Sequence, residues 1–217
     1  MGKSIRILPA ILTRDPAELG KMVRLAESFT DCAQIDIMDE QFVPSKSVSC
    51  EDIAGLKIKL QWEAHLMVLR PEDCINDFKK AGAQKIVFHF EATPTPEKTI
   101  LAIRKLGMQA GLAVNPETPL KAITALVKQV DSVLFLSVNP GFYGAEFIPE
   151  VLDKIVEFRR AYPQMEIGID GGIKEKNISK IARSGVDVIC VGSAIFRQPD
   201  PSASYNRLKA LASSAIS

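Results

Sequence analysis

The chain has 217 residues, enough for one large hydrophobic core, a length at which α/β barrels fold as one unit. Hydrophobic residues make up 47%, charged residues 24%, and the formal net charge is +1, so no strong basic or acidic field draws nucleic acid or a membrane surface. No apolar run approaches the ~18 residues of a membrane span, the N-terminus lacks a signal-peptide apolar stretch, and the cysteines Cys32, Cys50, Cys74 and Cys190 lack metal or disulfide spacing. They read as reduced thiols of a cytoplasmic chain.

From the N-terminus, short apolar β-branched runs alternate with charged amphipathic stretches. Strands are expected near 5–10, 32–38, 61–68, 85–90, 109–114, 130–138, 165–170 and 187–191. Helices are expected near 15–29, 51–60, 71–82, 94–107, 118–128, 149–161, 175–184 and 202–214. Pro16, Pro71, Pro96, Pro119, Pro149 and Pro201 stand near helix starts, where a missing N–H costs nothing. In "DFKKAGAQKIVFHF" and "IARSGVDVICVG" a glycine follows the last helical turn and a Val/Ile run follows it, as in strands covered on both faces. Eight such units give an α/β chain with a (β/α)8 barrel, one domain over 1–217. An open doubly wound sheet fits less well, because "PAILTRDP" after the first strand carries no GxGxxG.

A barrel of this kind builds its active site at the C-terminal ends of its strands. Polar residues expected there are Gln34, Asp36 and Asp39 on strand two, Glu63 and His65 on strand three, His89 and Glu91 on strand four, and Asp170 on strand seven. Asp36 and Asp170 come from opposite sides of the ring, and two inward acids suit proton removal from one face of a substrate and return to the other. His65 reads as a metal ligand, a general acid or a satisfied barrel histidine, while His89 with Glu91 reads as support. Met38 and Met67 are core filling or walls around a sugar. Glycines in "NPGFYG", "IDGGI" and "VGSAIF" point to a phosphate bound by backbone N–H groups after strands six to eight. No lysine falls at an inward strand end, which disfavours a Schiff-base aldolase. Two histidines in all exclude a His-rich metal site.

The motifs "IDIMDEQFVP", "EAHLMV", "FHFEAT", "GLAVNPETP", "VNPGF", "IDGGI" and "VGSAIF", in this order from Ile7 to about Asp200, resemble those of the ribulose-phosphate 3-epimerases. The resemblance implies a ribulose-phosphate-binding barrel, an isomerase of carbohydrate metabolism in the pentose phosphate pathway, and a homo-oligomer, dimer or hexamer. It implies that Asp36 and Asp170 are the paired acid and base inverting C3 of D-ribulose 5-phosphate to give D-xylulose 5-phosphate through a 2,3-enediolate. It places a divalent metal (Zn, Mn, Fe or Mg) on Asp36, His65 and Asp170, with the fourth position at Gln34. Substrate is expected against His65, Met38 and Met67, and the resemblance places phosphate on Gly141, Phe142, Tyr143, Gly144, Gly171, Gly172, Gly192 and Ser193. The chain departs from that pattern at several places. Gln34 replaces a histidine, Ala10 a serine, Glu40 and Tyr143 glycines, Leu136 a methionine, and Gly168 an acid. An amide is a weaker ligand than imidazole for zinc or iron. The departures therefore imply a looser, oxygen-rich site that favours Mn²⁺ or Mg²⁺, binds zinc weakly, or holds no metal. The alternatives are a 3-epimerase of a hexulose 6-phosphate or tetrulose phosphate, or a catalytically weak binder of sugar phosphate.

Overall fold

The computed structural model describes residues 5–141 and 145–216. Its strands are β1 (Arg6–Ile11), β2 (Cys32–Met38), β3 (Gln61–Met67), β4 (Lys85–His89), β5 (Gln109–Val114), β6 (Ser132–Leu136), β7 (Glu166–Asp170) and β8 (Val188–Val191). They pair in parallel, each with the next, and β1 pairs with β8 to close the barrel. The ladder between β1 and β2 is registered only at Ala10↔Gln34 and Ile11↔Ile35. Those pairs lie just past Pro9, whose nitrogen has no hydrogen to donate.

The helices are α1 (Pro16–Ala26), α2 (Cys50–Ala54), α3 (Ile75–Lys80), α4 (Pro96–Lys105), α5 (Leu120–Ile123), α6 (Val151–Ala161), α7 (Glu175–Arg183), α8 (Ser193–Phe196) and α9 (Pro201–Ser214). Asp15 caps α1 by accepting from Ala17 N at 2.8 Å, and Pro16 follows it as the first helical residue. Three expected helices are shorter than their sequence pattern. The one over 51–60 ends at Ala54 because Gly55 breaks it. The one over 118–128 splits into α5 and a 3₁₀ turn at Val127–Gln129, where the Thr124 hydroxyl turns back to Leu120 O at 3.3 Å. The one over 71–82 opens as a 3₁₀ turn, Pro71–Asp73, behind Arg70 at φ 52°. One helix is unanticipated: α8 follows β8 at once, where "GSAIF" reads as strand end and loop. No helix among the described residues is long and apolar enough to cross a membrane.

Side chains alternate across each strand. Outward residues such as Ile35, Ile37, Trp62 and Leu66 are buried in the main core, with helical residues such as Leu19, Phe78 and Phe158. Inward residues Leu8, Val87, Leu134, Leu136 and Val188 fill the middle of the barrel. The N-terminal floor is ionic. Lys85 Nζ lies 3.1 Å from both Glu63 and Glu166, and Arg6 reaches Glu166 at 2.7 Å. Glu63, expected at the catalytic rim, belongs to this floor, because a residue two positions before His65 sits one inward layer deeper.

Burial pushes the Lys85 ammonium down, but Glu63 and Glu166 outweigh burial and raise its pKa. Lys85→Met is expected to destabilise the protein by about 3 kcal/mol, since it strands carboxylates that lose their counter-charge. Chemical denaturation would measure this, and an unchanged midpoint would contradict the role given to the floor.

Candidate active site

The C-terminal ends of the strands surround a cavity of about 80 Å³ that opens to solvent. Asp36, His65 and Asp170 project into it from β2, β3 and β7, and Met38, Met67, Leu136 and Val138 form its apolar walls. Met38 and Met67 pack with Val43, so both are core and cavity wall at once.

Asp36 and Asp170 are closer neighbours than residues on opposite sides of a ring. The short way round from β7 to β2 crosses only β8 and β1. Ligand atoms of Asp36, His65 and Asp170 all lie within 4.8 Å of one another. His65 Nδ1 sits 3.0 Å from Asp36 Oδ1 and 3.5 Å from Asp170 Oδ2. Gln34, fully buried, places its amide nitrogen between the acids, donating to Asp36 Oδ1 at 2.8 Å and Asp170 Oδ2 at 2.7 Å. Its oxygen points the other way and accepts from the Cys190 thiol at 3.2 Å.

Charges in this group influence each other strongly. Burial raises the Asp36 pKa against the hydrogen bond from His65, and the nearby Asp170 charge adds to the rise. Burial alone would lower the His65 pKa, but hydrogen bonds and charges from Asp170 and Asp36 raise it to about 10. Both shifts favour protonated forms, so Asp36 and His65 hold protons that exposed groups would lose.

Behind His65, the two Nε2 atoms of His65 and His89 are 3.0 Å apart, and the rings stack at 5.2 Å. His89 is fully buried, which lowers its pKa, and its Nε2 shares a hydrogen bond with His65 Nε2. Its Nδ1 faces Glu91 Oε2 at 3.5 Å, and Glu91 is fixed in turn by Asn115 N at 3.0 Å and by the Thr118 hydroxyl. This chain of contacts turns Nδ1 of His65 toward the carboxylates.

Two carboxylate oxygens and one imidazole nitrogen suit a divalent cation that takes mixed oxygen and nitrogen donors. Asp36, His65 and Asp170 therefore form a candidate cation centre. Gln34 turns N–H groups, not its ligating oxygen, toward it.

The glycine-bearing strand ends line the same cavity. Gly141, Gly171, Gly172, Gly192 and Ser193 all border the cavity. Gly171 and Gly172 have φ of 109° and 63°, left-handed values that let the chain turn directly after Asp170. Gly192 caps α8, whose first-turn N–H groups have no partner within the helix. Phe142, Tyr143 and Gly144 lie outside the described residues.

Ser137 was not singled out in the sequence, yet it holds this wall in place. Its N–H reaches Asp170 O at 2.7 Å, and its hydroxyl lies 2.9 Å from Asp170 O and 2.7 Å from Gly171 O. The only sequence signal was its place just before "VNPGF". Asp39 supports the loops, accepting from Gln41, Phe42 and Leu69 backbone nitrogens. Glu40 adopts a left-handed turn, at φ 62°, and is exposed.

Residues 6–196 match the model of the ribulose-phosphate 3 epimerase family. The chain is 41% identical to ribulose-phosphate 3-epimerase 1 of Cupriavidus necator, over 95% of this chain and 90% of that protein. It is 38% identical to ribulose-phosphate 3-epimerase of Escherichia coli, over 91% and 92%. Among solved structures, 3-hexulose-6-phosphate synthase from Salmonella typhimurium shares the barrel with a TM-score of 0.74 at 18% identity, covering 96% of this chain and 98% of that one. With two acids, a buried imidazole and a glycine-lined wall at one barrel mouth, and with relatives this similar over nearly the whole length, the chain belongs to the ribulose-phosphate 3-epimerase family.

Proposed function

We propose that this chain, acting as one domain, inverts C3 of D-ribulose 5-phosphate to give D-xylulose 5-phosphate, with Asp36 and Asp170 as the acid and base. The observation that carries this reading is the convergence of the two carboxylates in one cavity whose lining also includes apolar side chains and glycine backbone.

The C3–H of a 2-ketose is weakly acidic because the adjacent carbonyl accepts the electron pair. One carboxylate takes the proton, the C3–H pair becomes the C2=C3 bond, and negative charge moves to the ketone oxygen. The other carboxylic acid then delivers a proton to the opposite face of C3, and the carbonyl re-forms. Burial favours the protonated form of Asp36, which suits it to begin the cycle as the acid, with Asp170 as the base. The roles exchange in the reverse direction. A divalent cation on Asp36, His65 and Asp170 would act as a Lewis acid toward the developing oxyanion. Met38 and Met67 pack against the carbon skeleton and keep water from the reacting carbon. Backbone N–H groups of Gly141, Gly171, Gly172, Gly192 and Ser193 hold the phosphate and orient C3 toward the acids.

The test is exchange of substrate C3–H with deuterium oxide across a panel of pentulose, hexulose and tetrulose phosphates. Fastest exchange with D-ribulose 5-phosphate is expected. Exchange with none of them would leave only a sugar-phosphate binder, and a preference for a hexulose or tetrulose phosphate would reassign the substrate.

A further inference from the structure

We propose that Gln34 works as a built-in competitor of the cation: its amide N–H₂ group occupies the place between Asp36 and Asp170, and a divalent cation enters this centre only by displacing it. Reading this as a new role for the residue rests on the epimerase assignment of the same trio.

The geometry carries the inference. One nitrogen lies 2.8 Å from Asp36 Oδ1 and 2.7 Å from Asp170 Oδ2. Those are the lengths of hydrogen bonds strengthened by a charged acceptor. The oxygens it engages belong to the carboxylates that a cation would bind. An amide N–H₂ has two hydrogens and no lone pair to give a metal, so each carboxylate receives one hydrogen and Gln34 donates nothing to a cation. The other end of the amide is also satisfied, because the Cys190 thiol reaches Gln34 Oε1 at 3.2 Å. The side chain is fully buried on β2, two residues from Asp36, so water does not supply these bonds in its place.

Two consequences follow. Gln34 is a positioning residue that keeps the two carboxyl side chains together before any cation arrives. It also sets cation affinity, because binding must break both hydrogen bonds or turn the amide over, and turning it over removes the acceptor now used by Cys190.

A weak fourth ligand and a competitor predict opposite results for Gln34→Leu. If Gln34 were a weak ligand, leucine would loosen cation binding. If it competes, leucine removes the competitor and tightens binding although it contributes no ligand atom. The measurement is calorimetric titration of the chelator-stripped full chain with Mn²⁺ alone, a cation chosen because it favours oxygen donors over the Cys190 sulfur. Gln34→Leu is expected to bind Mn²⁺ about tenfold more tightly than the unaltered chain, given two charge-assisted hydrogen bonds removed. Gln34→His, which supplies an imidazole, is expected to gain more, about 100-fold. Gln34→Met, closer in shape to glutamine, repeats the comparison if leucine disturbs packing. Equal or weaker binding in both apolar variants would overturn the proposal, as would unaltered protein that binds as tightly as Gln34→His. Deuterium exchange run alongside keeps the two readings separate. The expected affinity order without C3 exchange would sink the epimerase reading alone, whereas exchange with the opposite affinity order would sink this inference alone.

Discussion

Asp170→Asn and Asp36→Asn are each expected to lower kcat for epimerisation by about 10³- to 10⁴-fold, the upper range for a positioned acid or base. Asparagine is nearly isosteric and still accepts from the Gln34 amide through its oxygen, so the change removes proton exchange more than shape. The glycine wall offers backbone N–H groups, which neither substitution alters, and a phosphorylated ligand is therefore expected to bind within a few-fold of the unaltered chain. A coupled assay for xylulose 5-phosphate formation gives the first number and calorimetry with a non-reacting sugar phosphate gives the second. Substantial turnover in either variant would end the two-acid mechanism. The two variants should also differ in one respect. Asp36 is the more buried, 9% exposed in its side chain against 14% for Asp170. Loss of its charge relieves more burial, so Asp36→Asn should leave stability equal or higher while activity falls.

Gly171→Ala carries the second large effect. Gly171 has φ of 109°, and a methyl group there would lie 2.5 Å from Val138 Cγ2 and 2.9 Å from Val138 Cγ1. Neither the backbone angle nor the space suits alanine, and the strain is on the order of 1–3 kcal/mol. The carbonyls of Asp170 and Gly171 are both held by Ser137, so relief of the clash moves the acid and the phosphate wall together. A displacement of about 1 Å at a reacting group costs on the order of 10²-fold in rate. The expected result is a fall of at least that size in kcat/KM, with KM raised and the melting temperature lowered. A variant with normal kcat/KM would show that the turn tolerates a side chain and does not place Asp170.

Much of this was readable in the sequence because it rests on periodicity. Strand runs such as "KIVFH" and helical stretches such as "DFKK" repeat with different periods, so the order of the ring could be counted without coordinates. Asp36 and Asp170 stood out as carboxylates inside apolar strands, where an unexplained charge is costly. What was not readable depends on depth along the barrel axis. Glu63 and His65 share a face in sequence, yet one belongs to the floor and the other to the reaction centre, and only strand registration separates them. The separation of the two acids is hidden from the sequence for a related reason. Strand number gives order around the ring, but closeness depends on how far each side chain reaches toward the axis. Gln34 was legible as a departure, but which end of its amide faces the acids is set by Asp170 and Cys190, more than a hundred residues away in sequence. Ser137 acts mainly through bonds to the backbone of the neighbouring strand end, which leaves no pattern in composition.

The ionic floor has a consequence for traffic. With Lys85, Glu63 and Glu166 at one end and packed Leu8, Val87, Leu134 and Val188 above them, the barrel is a blind-ended vestibule. Substrate and product must use the same door, in turn. In the proposed reaction the two ketoses differ only at C3, while the proposed contacts to the guest at the door are with its phosphate, several bonds away. Entry and departure are therefore delayed nearly equally for both sugars. The vestibule shortens the time to equilibrium without favouring either sugar, and flux follows whichever one is drained from the solution outside.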